Sequence, residues 1–160
     1  MKKTFIITGI SAVVIVCLLV VSYLYYNKKN AEIVSDMATI SIGQTTIVAP
    51  VERTPADQQK GLGGVTSLSD SQGMLFVFNA PAYYGFWMKD MLIPIDMIWL
   101  DQNLKITFIA ANVPPSSYPQ VIQPTAPSEY VLETSANFSV RQNLKVGDSI
   151  KILSETSPKP

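Results

Sequence analysis

The sequence predicts a mostly β, α+β domain with a curled or barrel-like antiparallel sheet and one or two short helices, preceded by one transmembrane helix. Three observations predict this architecture. Short runs rich in β-branched and aromatic residues recur throughout residues 39–153. Only two segments of that span carry helix signals, at residues 55–63 and 137–144. A long apolar run from Phe5 to Tyr26 contains no charged residue and stands in front of the domain.

The apolar run has the length of a membrane span, because a helix over residues 5–26 would extend about 33 Å. A cleaved secretory signal would need a shorter apolar core and a small-x-small cleavage site, and neither is present. Lipoprotein processing at Cys17 is disfavoured because Val16 precedes the cysteine and further apolar residues follow it, so the motif does not fit. We therefore expect residues 1–29 to be an uncleaved, single-pass anchor.

The charges around the run indicate its orientation only modestly. Two lysines stand on each side, Lys2 and Lys3 in front and Lys28 and Lys29 behind. The free amino terminus adds a positive charge in front, and acidic residues soon follow the rear pair. The bias favours an N-terminus inside the cell and an extracytoplasmic domain.

The charge balance of the remaining chain argues against nucleic acid as a partner. Four of the twelve basic residues lie within residues 1–29, whereas all twelve acidic residues follow, so eight basic against twelve acidic residues leave a net charge of −4. Nucleic-acid recognition begins with a basic face, and anionic lipid would repel such a domain. The chain has no histidine, and its one cysteine lies in the apolar run. We therefore expect no metal, no cofactor and no disulfide in the domain.

The domain begins after a short polar linker, residues 30–38. Two strands, Thr39–Ile42 and Thr45–Val48, flank Gly43-Gln44 and predict a hairpin, in which the glycine supplies a positive φ. A helix should then begin at Thr54-Pro55, where a hydroxyl N-cap precedes a proline at the first helical position. Glycines at the end of this segment supply the stop.

The second half of the domain predicts further strands and one more short helix. The predicted strands are Gly73–Phe78, Phe86–Lys89, Ile95–Leu100, Lys105–Ala110, Tyr130–Glu133 and Ser149–Leu153, and the predicted helix is Asn137–Leu144. The proline-rich residues 112–127 should form a long surface loop, because prolines remove backbone donors there. Long ordered loops are often functional, so Tyr118 is a candidate binding residue. Residues 154–160 predict a disordered tail.

Several of these segments, in this order, resemble a known family. The series runs Gly61-Leu62, Gly73-Met74-Leu75-Phe76, Phe86-Trp87-Met88-Lys89, Ile93-Pro94-Ile95-Asp96, Tyr130-Val131-Leu132-Glu133 and Val146-Gly147-Asp148. It resembles the domain of unknown function 192 (DUF192), a family of uncharacterised conserved membrane or exported proteins. The resemblance covers residues 45–152 and implies a compact, β-rich fold without an established activity. The chain departs from the family pattern at Gly63, usually a methionine, and at Asp90-Met91, usually Asn-Thr.

Lys89 and Asp96 are the first candidate site residues. A turn over residues 90–95 would place their side chains near one another beside Trp87. In such apolar surroundings the two charges would need each other. A structural ion pair is the more favoured interpretation, and a ligand contact is the alternative.

Two hypotheses for function follow from the residues. In the first, the domain is a membrane-tethered binding or accessory module for an envelope glycan, a peptide or a protein. Its candidate ligand-binding residues are Trp87, Lys89, Asp96, Tyr118 and Glu133. In the second, it is an extracytoplasmic hydrolase of cell-envelope glycan, with Asp96 and Glu133 as its acid and base. The absence of histidine favours the first hypothesis.

Overall fold

The structure is a computed structural model that describes residues 14–25 and 36–156. The chain divides into two units, Met1–Ser35 and Asp36–Pro160. In the first unit, residues 14–25 form helix α1 and their side chains are exposed. Across the described ranges, no helix is both long and apolar enough to cross a membrane. The rest of the predicted anchor lies outside the described residues, together with its flanking lysines.

The second unit is an α+β domain dominated by one sheet, which confirms the predicted mostly β class. Its sheet has seven strands. The strands are β1 (Asp36–Ile42), β2 (Thr45–Glu52), β3 (Gly73–Ala82), β4 (Ile95–Leu100), β5 (Ile106–Val113), β6 (Ser128–Ser135) and β7 (Lys151–Thr156). The helices are α2 (Pro55–Lys60), α3 (Phe138–Arg141) and a single 3₁₀ turn at Pro115–Ser117.

The sheet is mixed and open, whereas the sequence predicted an antiparallel, barrel-like one. Its strand order is β5-β4-β6-β3-β2-β1-β7, and β2 pairs with β3 in parallel. A parallel pair needs a crossover connection, and residues 53–72, which contain α2, provide it. Strands β5 and β7 are the outer strands, and a bridge between Lys105 and Ser149 joins the segments that precede them. The sheet therefore curls without closing.

The predicted strand at Phe86–Lys89 is wrong. Phe86 forms one isolated bridge with Ile122, in which each backbone N–H donates to the other residue's carbonyl at 3.0 and 2.7 Å. The partner is the proline-rich segment, whose prolines lack donors and cannot extend the ladder. The chain then turns at Lys89-Asp90, where Asp90 adopts φ 58°. The structure accordingly has one strand fewer than the predicted eight.

Most strands run past their predicted ends, and two of them, β1 and β7, reach into segments predicted to lack regular structure. β1 begins at Asp36, within the predicted linker, and β7 continues to Thr156, within the predicted tail. The two strands pair with each other, with Met37 opposite Thr156. Backbone pairing with a neighbouring strand thus orders polar residues that look unstructured in isolation. Residues 157–160 of the predicted tail lie outside the described residues.

The central strands are buried on both faces, and each face has its own apolar cluster. All six residues of β4 are buried. Its even-numbered apolar residues, Ile98 and Leu100, belong to one cluster with Leu132 and Phe138. Its odd-numbered residues belong to a second cluster of Leu62, Met74, Phe76, Met88, Met91, Ile95, Met97, Trp99, Val113 and Val131. The four methionines of this second cluster therefore fill core space.

Gly73 is required where β3 pairs closely with β6, and this gives a first prediction. A Cβ at Gly73 would lie 2.6 Å from the backbone oxygen of Glu133, which the sheet holds in place. We expect Gly73→Ala to lower the free energy of unfolding by about 1–3 kcal/mol, as measured by urea denaturation. Gly85→Ala is the matched control, because the atoms nearest to its Cβ would belong to the side chains of Val121 and Gln123 and not to backbone. An equal loss in both variants would contradict this explanation.

Candidate cavity around Glu133

A cavity of about 380 Å³ opens on the face of the sheet that carries the methionine-rich cluster. Its walls come from α2 and the residues after it, from β3, from the segment between β3 and β4, and from β6. The lining residues are Pro55, Gln58, Gln59, Lys60, Gly61, Leu62, Phe76, Phe78, Tyr84, Gly85, Phe86, Trp87, Lys89, Met91 and Glu133. The volume lies in the range of small-molecule sites.

Helix α2 forms one wall because its sequence fixes both of its ends. The side chain of Thr54 accepts from the Asp57 backbone N–H at 3.2 Å, and Pro55 occupies the first turn. The side chain of Gln58 donates to the carbonyls of Glu52 at 3.2 Å and Val77 at 3.0 Å, which fastens the helix to two strands. No residue of α2 is buried. Its side chains therefore line the cavity without filling it.

Gly61 ends this helix and lies next to Phe76 and Glu133. Its φ is 49°, in the left-handed region that favours glycine. A Cβ there would lie 3.4 Å from Cζ of Phe76 and 3.8 Å from Oε2 of Glu133. A larger side chain at this position would therefore occupy the floor of the cavity.

Aromatic side chains form the opposite wall. The rings of Phe78 and Tyr84 are stacked with their centroids 3.6 Å apart, and Phe76 meets Phe86 edge to face at 4.9 Å. The indole N–H of Trp99 donates to the Tyr84 carbonyl at 2.8 Å and holds this segment on the sheet. The cavity therefore has a firm apolar wall of the kind that packs against flat ligands.

Glu133 lies at the floor of the cavity and is almost fully buried, with 4% of its surface exposed. Its Oε2 has no hydrogen-bond partner in the described part of the chain. Burial raises the pKa of this carboxyl to about 8, although the Leu62 backbone N–H acts in the opposite direction. Glu133 is therefore mostly uncharged at neutral pH and can donate a hydrogen bond from its carboxyl group.

Lys60 and Lys89 are the cationic residues of the lining, and both are exposed. Neither forms a salt bridge within residues 14–25 and 36–156. Both also line a shallower depression beside the cavity, where Asp90 joins them. Burial, together with the nearby Asp57, raises the pKa of Glu52, and Lys60 partly offsets the rise. The mouth of the cavity thus contains two lysines with acidic residues at its outer edge.

Asp96 does not pair with Lys89, contrary to the expected proximity. It is fully buried on the other face of the sheet, beside α3. Its Oδ1 accepts from the backbone N–H groups of Asn112 and Asn137, each at 2.7 Å. Its Oδ2 accepts from the Ser139 backbone N–H at 2.8 Å and from the Ser139 hydroxyl. The carboxylate thereby joins β4, the end of β5 and the start of α3.

The two carboxyls of the hydrolase hypothesis face opposite sides of the sheet. Strands β4 and β6 pair so that Asp96 is opposite Thr134 and Met97 is opposite Glu133. Cross-strand partners share a face, and neighbours along a strand alternate. Asp96 and Glu133 therefore do not flank a common cleft. Among the described residues, no group of three His, Cys, Asp or Glu side chains could hold a metal ion.

The structure brings together three of the five residues that the sequence put forward as ligand contacts. Trp87, Lys89 and Glu133 line the cavity. Asp96 is on the opposite face, and Tyr118 follows the 3₁₀ turn, exposed and outside the lining. Sequence reasoning missed Lys60, Phe78 and the place of Gly61 in the lining. The Gly61-Leu62 pair after a short helix was the available signal for the last of these.

The geometry of this domain can be compared with known proteins. The family described as DUF192, uncharacterised ACR, matches residues 38–152. The chain belongs to the DUF192 family. This finding confirms the resemblance seen in the sequence, and it leaves the activity open because the family itself is uncharacterised. No curated protein matches the chain.

Two solved structures are similar to this DUF192 protein. One is a protein of unknown function from Novosphingobium aromaticivorans, 32% identical, with a TM-score of 0.63 over 72% of this chain and 83% of that chain. The other, from Sinorhizobium meliloti, is described as a "putative transcription regulator" and is 26% identical. Its TM-score is 0.66, over 74% of this chain and 92% of that chain. The likeness supports the fold, and the description of the second structure concerns that protein alone.

Proposed function

We propose that this DUF192 domain is a binding module, and that its ligand enters the cavity above Glu133. One observation carries the proposal: Glu133 lines a preformed aromatic cavity, and its Oε2 is buried without a hydrogen-bond partner among the described residues. An unpaired buried polar group is costly, and native structures seldom keep one without a reason. A bound ligand would supply the missing hydrogen bond.

The proposal extends to the place of the module in the cell. Residues 5–26 would anchor it in the membrane as a single span, with the N-terminus inside and the domain extracytoplasmic. The uncharged length of this run, the lysines that flank it and the acidic balance of the domain support this topology. The ligand would then be part of an envelope glycan, a peptide, a protein partner or a small molecule outside the cytoplasm.

The cavity supports binding better than hydrolysis. The hydrolase alternative needs two carboxyl groups on either side of one bond, and the lining contains one, Glu133. Asp96 cannot supply the second, because it is buried on the opposite face with four donors around it. A lone neutral carboxyl can orient a ligand through a hydrogen bond without any partner in catalysis.

A ligand screen with a blocking variant tests this proposal. The full-length protein, in lipid nanodiscs, would be screened by saturation-transfer NMR against small glycans, peptides and organic acids. Gln59 is exposed on α2 and lines the cavity, so Gln59→Trp should fill the cavity without disturbing the core. We expect at least tenfold weaker binding of any hit.

Gln102→Trp is the matched control, because Gln102 is exposed in the turn after β4 and outside the lining. It should bind as the wild type does. Hits that bind both variants equally, or the absence of any hit, would contradict the proposed function.

A further inference from the structure

We propose that the cavity takes a small organic anion with a flat, aromatic or apolar body, which places its anionic group at Lys60 and Lys89 and a hydrogen-bond acceptor against Glu133. This inference rests on the proposed function and adds the chemical class of the ligand. Three features of the lining carry it: the carboxyl at the floor, the aromatic wall and the two lysines at the mouth.

The floor favours a ligand that accepts a hydrogen bond. Within the described residues Oε2 of Glu133 has no partner, and Glu133 lines the cavity together with the neighbouring Gly61. An ionised, unpaired carboxylate in these surroundings would be strongly penalised, so the carboxyl keeps its proton. A protonated carboxyl offers one O–H donor. A carbonyl or ether oxygen of a ligand would satisfy this donor, whereas a ligand with donors only would not.

The wall favours a flat body over a flexible polar one. Phe76, Phe78, Phe86 and Trp87 present rings to the cavity. A sugar would also need several polar partners, yet Gln58, which lines the cavity, already donates to two backbone carbonyls. A planar ring needs fewer hydrogen bonds and gains from stacking and edge contacts.

The mouth favours an anion. Apart from the neutral Glu133, the charged residues of the lining are Lys60 and Lys89. The domain beyond residue 29 otherwise carries a net charge of −4, so this local excess of positive charge stands against the general balance. Asp90 lies beside the lysines in the outer depression and not in the cavity lining. Asp90 therefore does not cancel the positive charge of the two lysines within the cavity lining itself.

Three probes with one ring separate these contributions. 4-Acetylbenzoate has a carboxylate at one end and a carbonyl acceptor at the other. 4-Acetylbenzamide lacks the charge, and 4-isopropylbenzoate lacks the acceptor but keeps the shape. The same substituents on naphthalene give a longer set. Binding to the full-length protein in nanodiscs would be measured by isothermal titration calorimetry, with empty nanodiscs to subtract partition into lipid.

We expect the best keto acid of either set to bind at least tenfold more tightly than its amide and than its isopropyl analogue. Lys89→Met should remove most of the preference over the amide, whereas Lys151→Met should keep it, because Lys151 is exposed on β7 and outside the cavity lining. Glu133→Leu should remove the preference over the isopropyl analogue, and Glu133→Gln, which retains a donor, should restore it. Because Lys89 is exposed, its variant remains informative if Glu133→Leu fails to fold.

The outcomes separate this inference from the proposed function. Equal affinity for acid and amide, or a preference that survives Lys89→Met, would overturn the anion assignment while leaving a ligand-binding cavity in place. The anion assignment would also be overturned if no keto acid binds while other compounds do bind and their binding is blocked by Gln59→Trp. If no compound at all is blocked by Gln59→Trp, both proposals fail.

Discussion

Asp96→Ala should be among the most destabilising substitutions in this protein, with a loss of about 3–5 kcal/mol in the free energy of unfolding. The side chain is fully buried and accepts hydrogen bonds from three backbone N–H groups and one hydroxyl. Alanine would leave these donors unpaired in the interior, and each pays its own desolvation penalty. Urea denaturation of the full-length protein, followed by circular dichroism, measures the loss.

Asp101→Ala is the matched control for this prediction. Asp101 also accepts from two backbone N–H groups, those of Asn103 at 2.8 Å and Lys105 at 3.0 Å, but it lies in a partly exposed turn. Water can replace the aspartate there, so we expect a loss of only about 1 kcal/mol. A similar loss in the two variants would show that burial of Asp96 is not what makes it costly.

The second large effect should be a loss of stability as the pH rises from about 5 to 9. The pKa of Glu133 is about 8 in the folded domain, against an ordinary value of 4.5. Between these values the folded state holds a proton that the unfolded state has released, so the free energy of unfolding falls with pH. The contribution is fully present below 4.5 and is lost as the pH rises through 8. The expected fall is on the order of a few kcal/mol, at about 1.4 kcal/mol per pKa unit.

Glu133→Gln isolates this contribution, because glutamine keeps the shape and cannot ionise. The other titratable side chains in the lining are Lys60, Lys89 and Tyr84, and the variant leaves all three in place. Denaturation at a series of pH values should show the two proteins close together near pH 5 and the variant more stable near pH 9. Parallel curves for the two proteins would mean that Glu133 is not the group responsible.

Local patterns were sufficient to predict much of the fold. Gly43-Gln44 gave the β1–β2 hairpin, with Ile42 opposite Thr45, because a turn between two alternating runs is a short-range signal. Thr54-Pro55 gave the start of α2 for the same reason. The parallel β2–β3 pair could not be predicted, because the direction of a strand after a crossover depends on distant pairing. Phe86–Lys89 has strand-like residues, but within residues 14–25 and 36–156 it forms a single bridge, between Phe86 and Ile122.

The site was predictable in composition but only partly in geometry. The sequence correctly predicted three residues of the cavity lining, the aromatic Trp87 and the ionisable Lys89 and Glu133. The alternation of β4 and β6 decides which carboxyl faces the cavity, and that depends on register. A shift of one residue in the pairing of β4 with β6 would have turned the side chain of Asp96 toward the cavity. Helix α2, which forms one wall of the cavity, was predicted from the sequence, but the crossover that contains it was not.

A carbon-13 NMR titration of the Glu133 carboxyl, without ligand and with the tightest hit of the screen, tests directly whether the cavity above Glu133 is the binding site. We expect a midpoint near 8 in the free protein, following the pKa set by burial, and a higher midpoint with ligand, because the ligand accepts a hydrogen bond from the protonated form. A midpoint near 4.5 that does not move when ligand is added would contradict this expectation. Glu133 would then be an ordinary solvated carboxylate and the cavity would not be the binding site.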